Sequence, residues 1–527
     1  MSQQTNPRFQ LFNFTDREIA IADLAFNMHS QHGQLPRIVP LQNAFAHIAS
    51  LGCTTIVKQH TVQDPDFFAE YYAYYSRTFG AVDKHCHRLH FFSLAAEHNE
   101  EVLDFIDRAA ASQSYLGFIT IRPVRTSPMA ATILCFPPDQ HFLLSSDRFV
   151  VHIAGKTFSV HGTPFMQQDN AVGACAQASI WMALRTLRKR EGNSAFDPAQ
   201  ITNAATRFMV RGRTLPNREG LSVDQMIEAI RFAGYSPHII RFGSGPGKPL
   251  DADQFRTAKR KIYTYVESAM PVVLGVFPNA NDGHAIVLIG HKWEANTNPT
   301  PYLVRDGLTL YHAADWVTTF ITHNDNSGPY LDLPEQLVPG YAYCFDQINF
   351  AIPLLPNDVF MSGEEAEQVA LIVLAGLLSP ASSTGVTPAP KIEELVFRTY
   401  LMERSAFREW VINTPNMHPE LRKYYRMKVL PKRIWISEIS LLSEYNRANA
   451  GSLSRVGEFI IDPTGDFNDA PFLSIHLNIS AILTFPAGIP APFTDNSGVI
   501  IDRAANGSSI KYILLNGDTA YPPLCRR

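Results

Sequence analysis

A cysteine stands where a turn-like run gives way to a helix-forming one, in Gln167-Gln168-Asp169-Asn170-Ala171-Val172-Gly173-Ala174-Cys175-Ala176-Gln177-Ala178-Ser179-Ile180-Trp181-Met182. Further along comes Gly283-His284-Ala285-Ile286-Val287-Leu288-Ile289-Gly290-His291, a histidine at the head of an apolar run. A thiolate attacks a carbonyl carbon far better than a thiol does, and a free cysteine ionises only near ~8.5. Two devices lower that value. One is a helix N-terminus, whose unpaired N–H groups and dipole favour negative charge. The other is a neighbouring imidazolium. Cys175 fits the first and His284 the second, provided that the histidine strand packs beside the cysteine helix. The chemistry implied is nucleophilic attack on an amide carbonyl.

The elements that must position these groups are legible around them. Asp169 to Gly173 reads as a turn and Ala174 to Arg188 as helix. The short basic run from Arg185 to Arg190 then falls in the helix's last turns, where positive charge suits the dipole. Pro271 to Phe277 and His284 to Trp293 read as buried strands joined by a turn at Asn279 to Gly283. Thr318 to Thr322 reads as a further strand, running into His323-Asn324-Asp325-Asn326-Ser327-Gly328-Pro329.

Together these residues resemble the papain-like cysteine peptidase superfamily, including its bacterial C39-like branch, over residues 160–340. The resemblance rests on Cys175-Ala176 opening a helix that contains Trp181 and Met182, and on Gly283-His284-Ala285 with Gly290 in the strand. It implies an α+β fold with a papain-like core, in which the cysteine helix packs on an antiparallel sheet flanked by N- and C-terminal α+β regions. It also implies roles. Cys175 is the nucleophile and His284 the base. A glutamine upstream aims its amide at the oxyanion, helped by the Cys175 backbone N–H. Gln168 is preferred for that place. It lies seven residues before Cys175, one more than the superfamily spacing, and Gln167 lies beside it. An Asp or Asn beyond the histidine orients the ring. Asp325 is the first choice, Asn324 follows closely because an amide does the same work, and Asp315 is third. The implied reaction is cleavage of a peptide or isopeptide bond through a thioester, with no cofactor and no metal. Acyl transfer of the transglutaminase or arylamine acetyltransferase kind uses the same side chains. A binding scaffold that keeps the fold without the activity is the non-enzymatic alternative.

Composition bounds the rest. A chain of 527 residues is too long for one core, and about two to four domains are expected. Boundaries are drawn at 1–150, 151–350 and 351–527, with the middle region catalytic. Hydrophobic residues make up 46% and charged residues 18%, which is a globular balance. A net charge of −4 gives no electrostatic case for nucleic acid or a membrane surface. The partner expected is a protein or peptide substrate, and the flanking regions are expected to position it or to bind a regulatory protein. Six cysteines at 53, 86, 135, 175, 344 and 525 lack paired spacing, which fits a reducing, cytoplasmic setting and keeps a thiol usable.

Outside the middle region, Pro40 to Leu51, Asp64 to Thr78 and Glu100 to Ala111 read as helices. Tyr115 to Arg122, Ala130 to Cys135, Phe149 to Ile153 and Thr157 to Val160 read as strands. Ser222 with Gln225 and Ser362 with Glu365 form capping boxes at two helix starts. Val369 to Leu378 is apolar but far short of the ~20 residues of a membrane helix, so a buried helix is expected. Ser379 to Pro390 reads as a linker. Ile392 to Met402, Ala406 to Ile412 and Pro419 to Met427 are expected as helices, followed by strands at 433–440, 457–461, 472–477, 499–503 and 510–515. The last two suggest a hairpin turning at Asn506-Gly507. His85-Cys86-His87 with His90 lacks zinc-site spacing and reads as a helical surface cluster.

Overall fold

The computed structural model describes residues 8–14, 39–80, 82–124, 127–136, 141–142, 145–168, 175–208, 220–243, 245–295, 297–305, 308–378, 389–390, 394–445, 455–466, 471–478, 483–484, 498–504 and 509–521. It is a mixed α+β structure built on several antiparallel sheets. The chain forms two compact units. The first comprises 1–250, 270–290 and 319–354, and the second 251–269, 291–318 and 355–527. The expected turn before Cys175, residues 379–388 of the expected linker and the hairpin turn at Asn506-Gly507 lie outside the described residues.

In the first unit, five strands form an antiparallel meander in the order Phe9–Asn13, Thr55–Val62, Cys86–Phe92, Tyr115–Ile121, Met129–Leu134. The helix Val39–Ser50 buries Leu41, Ala44, Phe45 and Ile48, spaced as one helical face. The helix Pro65–Ala73 begins at Asp64, whose carboxylate accepts the Phe67 N–H at 3.1 Å. In the helix Val102–Ala111, Phe105, Ile106 and Ala109 face inward, whereas Leu103 is exposed.

A second sheet runs Ile240–Arg241, Ile348–Pro356, Val272–Val276, His284–Trp293, Val317–Asn324, Gly328–Leu333. Val276 pairs with His284 across the hairpin. Its turn is held by the Asn279 side-chain oxygen, which accepts the N–H groups of Asn281 and Asp282 at 3.0 Å each. A Cβ on Gly283 would sit 2.7 Å from the Phe277 ring, so the glycine before the histidine answers to packing. The capping box of Ser222 and Gln225 opens Val223–Phe232 as expected. Gln225, Met226, Ala229 and Ile230 form its buried face, and Phe232 is exposed.

The second unit is organised on one sheet, in the order Pro301–Arg305, Leu308–His312, Glu394–Glu403, Arg433–Leu441, Arg455–Ile461, Phe472–Asn478, Gly498–Arg503, Ile510–Leu515. Only Leu308–His312 with Glu394–Glu403 is parallel. Here the expected helix at 392–402 is corrected to a strand. Every residue from Leu395 to Met402 is buried, as in an interior strand covered on both faces, where apolar runs lose their alternation and resemble a buried helix. The helix Gly363–Leu378 starts at the Ser362–Glu365 box. It buries Ala366, Val369, Ala370 and Leu374 but leaves Ile372 exposed, so it is covered on one face. Among the described residues, no helix is long and apolar enough to cross a membrane.

The cluster at His85 to His90 is a strand, not a surface helix. Cys86 and His90 are buried, and the His90 ring meets Tyr115 Oη at 2.9 Å and Gln59 Oε1 at 3.2 Å. His85 faces Asp83 at 3.0 Å. No group of three or more His, Cys, Asp or Glu suited to a metal ion occurs among the described residues.

Candidate active site

Cys175 opens the helix Cys175–Arg190, whose Ala, Leu, Met and Arg content is strongly helix-forming. The helix is buried on nearly all sides and is fixed by polar contacts at separate points. Ser179 Oγ donates to the Ala285 carbonyl at 2.9 Å, and the Ala285 N–H donates to Cys175 Sγ at 3.4 Å. Residues 175 and 179 share a helix face, so this pair of bonds sets that face against the head of the histidine strand. On another face, the Trp181 indole and Arg185 both reach Asp66, at 3.2 and 2.9 Å. Burial pushes the Asp66 carboxyl up to about 6 despite the guanidinium beside it. Arg185 therefore anchors the helix, which goes beyond the dipole role expected for the basic run.

His284 is 7% exposed. Its Nε2 hydrogen-bonds Asn324 Oδ1 at 3.0 Å, and Asp325 Oδ1 lies 3.2 Å from the same nitrogen. Asp325 is fully buried, and among the described residues neither of its oxygens makes a hydrogen bond of good geometry. The aligned bond thus goes to the amide, while the carboxylate supplies charge at close range. Burial alone would push the His284 ring down. The Asp325 charge, with the Cys175 sulfur in hydrogen-bonding contact, outweighs it and raises the ring well above its ordinary value. Tyr343 stacks on the imidazole, with centroids 4.7 Å apart and planes at 15°.

The two upstream glutamines separate clearly. Gln167 is buried, and its side-chain oxygen accepts the Met129 N–H at 3.3 Å. Its carbonyl accepts Arg122 Nη2 at 2.7 Å. Gln168 turns the other way and donates from Nε2 to Asn326 Oδ1 at 3.2 Å. The structure thus brings Cys175, His284, Asn324, Asp325 and Gln168 into one neighbourhood. Asp315, the third choice for orienting the ring, belongs to the second unit and ion-pairs with Arg260 at 3.2 Å. The strand expected at 318–322 extends through Asn324, which makes the ring's partner the strand's last residue.

Several contributors carried no sequence signal: the Ala285 N–H, the Asn326 amide and the Tyr343 ring. Tyr330 is another. Its backbone is held at φ 55°, and its hydroxyl donates to the Leu134 carbonyl at 2.7 Å and accepts the Thr163 N–H at 2.9 Å. That bond holds the segment leading to Gln168. Tyr330→Phe is expected to cost about 1–3 kcal/mol, since it leaves both backbone groups without their partner. Denaturant unfolding of the two proteins side by side measures it.

A cleft of about 640 Å³ adjoins these residues, lined by Asn43, Ile286, Thr322, Asn324, Asn326 and Tyr343 among others. No family model matches the chain, and no curated protein matches it. Among solved structures the chain is similar to the peptidase domain of Streptococcus ComA, a bifunctional ABC transporter involved in a quorum-sensing pathway. The likeness has 15% identity and a TM-score of 0.22 over 37% of this chain and 97% of that one.

Proposed function

We propose that the first unit is a papain-like cysteine hydrolase that cleaves amide bonds, peptide or isopeptide, in a protein or peptide substrate. One observation carries this reading. The Cys175 sulfur, at a helix start, meets an imidazole whose Nε2 is held by Asn324 and faced by the buried Asp325.

Cys175 Sγ attacks the carbonyl carbon and forms a C–S bond as the thiol proton passes to His284. The carbonyl oxygen becomes an oxyanion, received by the Gln168 amide and the Cys175 backbone N–H. His284 returns the proton to the leaving nitrogen, the C–N bond breaks, and a thioester remains. Water then attacks with His284 as base, the C–S bond breaks, and acid and thiol are released. Asn324 keeps the ring aligned. Asp325 stabilises the imidazolium that exists between the two transfers, as the carboxylate of a Ser-His-Asp site does.

A peptidyl electrophile that acylates or alkylates thiols tests the proposal directly. It is expected to label Cys175 ahead of the other cysteines, and Cys175→Ala is expected to remain folded and unlabelled. No labelling of folded protein would favour a binding scaffold. If labelling occurs and an added amine yields a new amide in place of free acid, the chemistry is acyl transfer.

A further inference from the structure

Asn326 touches three parts of the site at once. Its Oδ1 accepts Gln168 Nε2 at 3.2 Å, its backbone N–H donates to Asn324 Oδ1 at 3.0 Å, and its Nδ2 lies 3.5 Å from His284 Nδ1. With Gln168 donating to Oδ1, the end of the Asn326 amide that faces the ring is the NH₂ group. That contact is long. The second N–H of the group has no partner among the described residues, and the residue lines the 640 Å³ cleft. Asn324 takes the proton on Nε2, and an amide donor facing Nδ1 needs a lone pair there. Asn326 thus favours the neutral ring, whereas Asp325, at 3.2 Å from Nε2, and the Cys175 sulfur in contact with the ring favour the imidazolium.

We infer that Asn326 is a positioning residue that ties the oxyanion amide of Gln168 to the base His284 and partly opposes the imidazolium that Asp325 favours until a substrate carbonyl enters. This rests on the hydrolase reading above and adds to it an opposition between two neighbours of one ring. An arriving carbonyl oxygen competes with Asn326 Oδ1 for the Gln168 amide. Once Gln168 is engaged elsewhere, nothing fixes the orientation of the Asn326 amide. It can turn its oxygen toward Nδ1–H, and the imidazolium is then no longer opposed. The resting site is less reactive toward small electrophiles than the bare cysteine–histidine pair would be, and it is better organised for an acyl substrate.

The two effects have opposite signs, which separates positioning from mere structural support. The readouts are the rate of Cys175 alkylation by iodoacetamide across pH, and kcat/KM for a peptide that the wild-type protein cleaves. Asn326→Ala removes the donor to Nδ1, so the acid limb of alkylation is expected to move to lower pH by about half to one unit, the scale of one neutral hydrogen bond. It also removes the Asn326 contact that positions the Gln168 amide, so kcat/KM is expected to fall about 10- to 100-fold. Asn326→Ser is too short to reach the ring and should give the same pair of changes if alanine there does not fold. Gln168→Ala removes the contact that orients the Asn326 amide, so it should lower kcat/KM and move the alkylation limb in the same direction as Asn326→Ala. An unmoved limb in both folded Asn326 variants, or a limb that moves to higher pH, overturns the inference. The His284→Ala control tells its failure from that of the hydrolase reading: if loss of the ring leaves alkylation unchanged, the base itself is misassigned.

Discussion

His284→Ala is expected to lower amide hydrolysis by at least about a thousandfold and to slow alkylation of Cys175 near neutral pH, while leaving the sulfur in place. The ring supplies both the proton acceptor and the positive charge that keeps a thiolate. Stopped-flow alkylation and peptide hydrolysis on the same preparation measure the two. Alkylation kinetics unchanged from wild type would sink the ion-pair idea. The ring also couples the site to stability. Burial pushes its protonated form down, but Asp325 raises it well above the ordinary value. A group whose folded value is raised contributes stability that is fully present below its unfolded value of about 6.5 and is lost as pH rises through the folded value. Wild type and His284→Ala should therefore converge in stability as pH climbs above about 6.5.

The partners of the ring are separable by the same measurements. Asp325→Asn removes the charge and should move the acid limb of alkylation toward higher pH, because the imidazolium loses its stabiliser. Asn324→Ala removes the aligned bond and leaves the charge, so it should lower hydrolysis with a smaller change in that limb. The close approach of both groups to one nitrogen is why choosing between Asn324 and Asp325 from sequence was hard. Adjacent residues at a strand end ordinarily point to opposite faces, yet here the chain turns immediately after Asn324, and both reach Nε2.

Much of the framework was legible because local physics and tertiary structure agree. Capping boxes at Ser222 and Ser362 start helices where an oxygen can satisfy the first free N–H groups. The cysteine helix and histidine strand carry their own periodicity and turn residues. What was not legible depends on partners distant in sequence. Gln167 and Gln168 are the same residue type side by side. They diverge because Arg122 and the Met129 N–H claim one and Asn326 the other. The stacking of Tyr343 on His284 comes from a separate loop, and no spacing rule links them. The strand Glu394–Glu403 read as helix because burial on both faces erases the two-residue alternation. Arg398 within it would suit a helix surface, whereas it is buried.

That arginine belongs to a buried network in the second unit, and the largest stability effect expected in this protein lies there. Glu438 accepts Arg398 Nη1 at 2.7 Å on one oxygen, and Arg455 together with Tyr400 Oη, the latter at 3.1 Å, on the other. Arg398 also pairs with Glu267, which meets His291 at 2.9 Å. Glu458 takes Tyr425 Oη and lies 3.2 Å from His476. All of these charged groups are buried. Such a network is weak support for stability as a whole, because removing its ions from water offsets their attraction. Breaking it at one point is a different matter, since a charge is left buried without its partner. Arg398 keeps Glu267, but among the described residues Arg455 is then left with Glu458 at 4.0 Å, two tyrosine hydroxyls and the Trp410 ring. Glu438→Ala is accordingly expected to destabilise the second unit by about 3–5 kcal/mol. Four of the five tryptophans, Trp293, Trp316, Trp410 and Trp435, lie in that unit, so fluorescence unfolding reports chiefly on it. A loss under about 1 kcal/mol would mean that water reaches the arginines. The network also sets an acid limit. Burial works against the charge on Glu267 and Glu458, but Arg398 and His476 hold both below the ordinary carboxylate range. Their contribution is present above about pH 4.3 and is lost as pH falls through the folded values, so the tryptophan-reported transition should weaken in acid before the thiol chemistry is tested there.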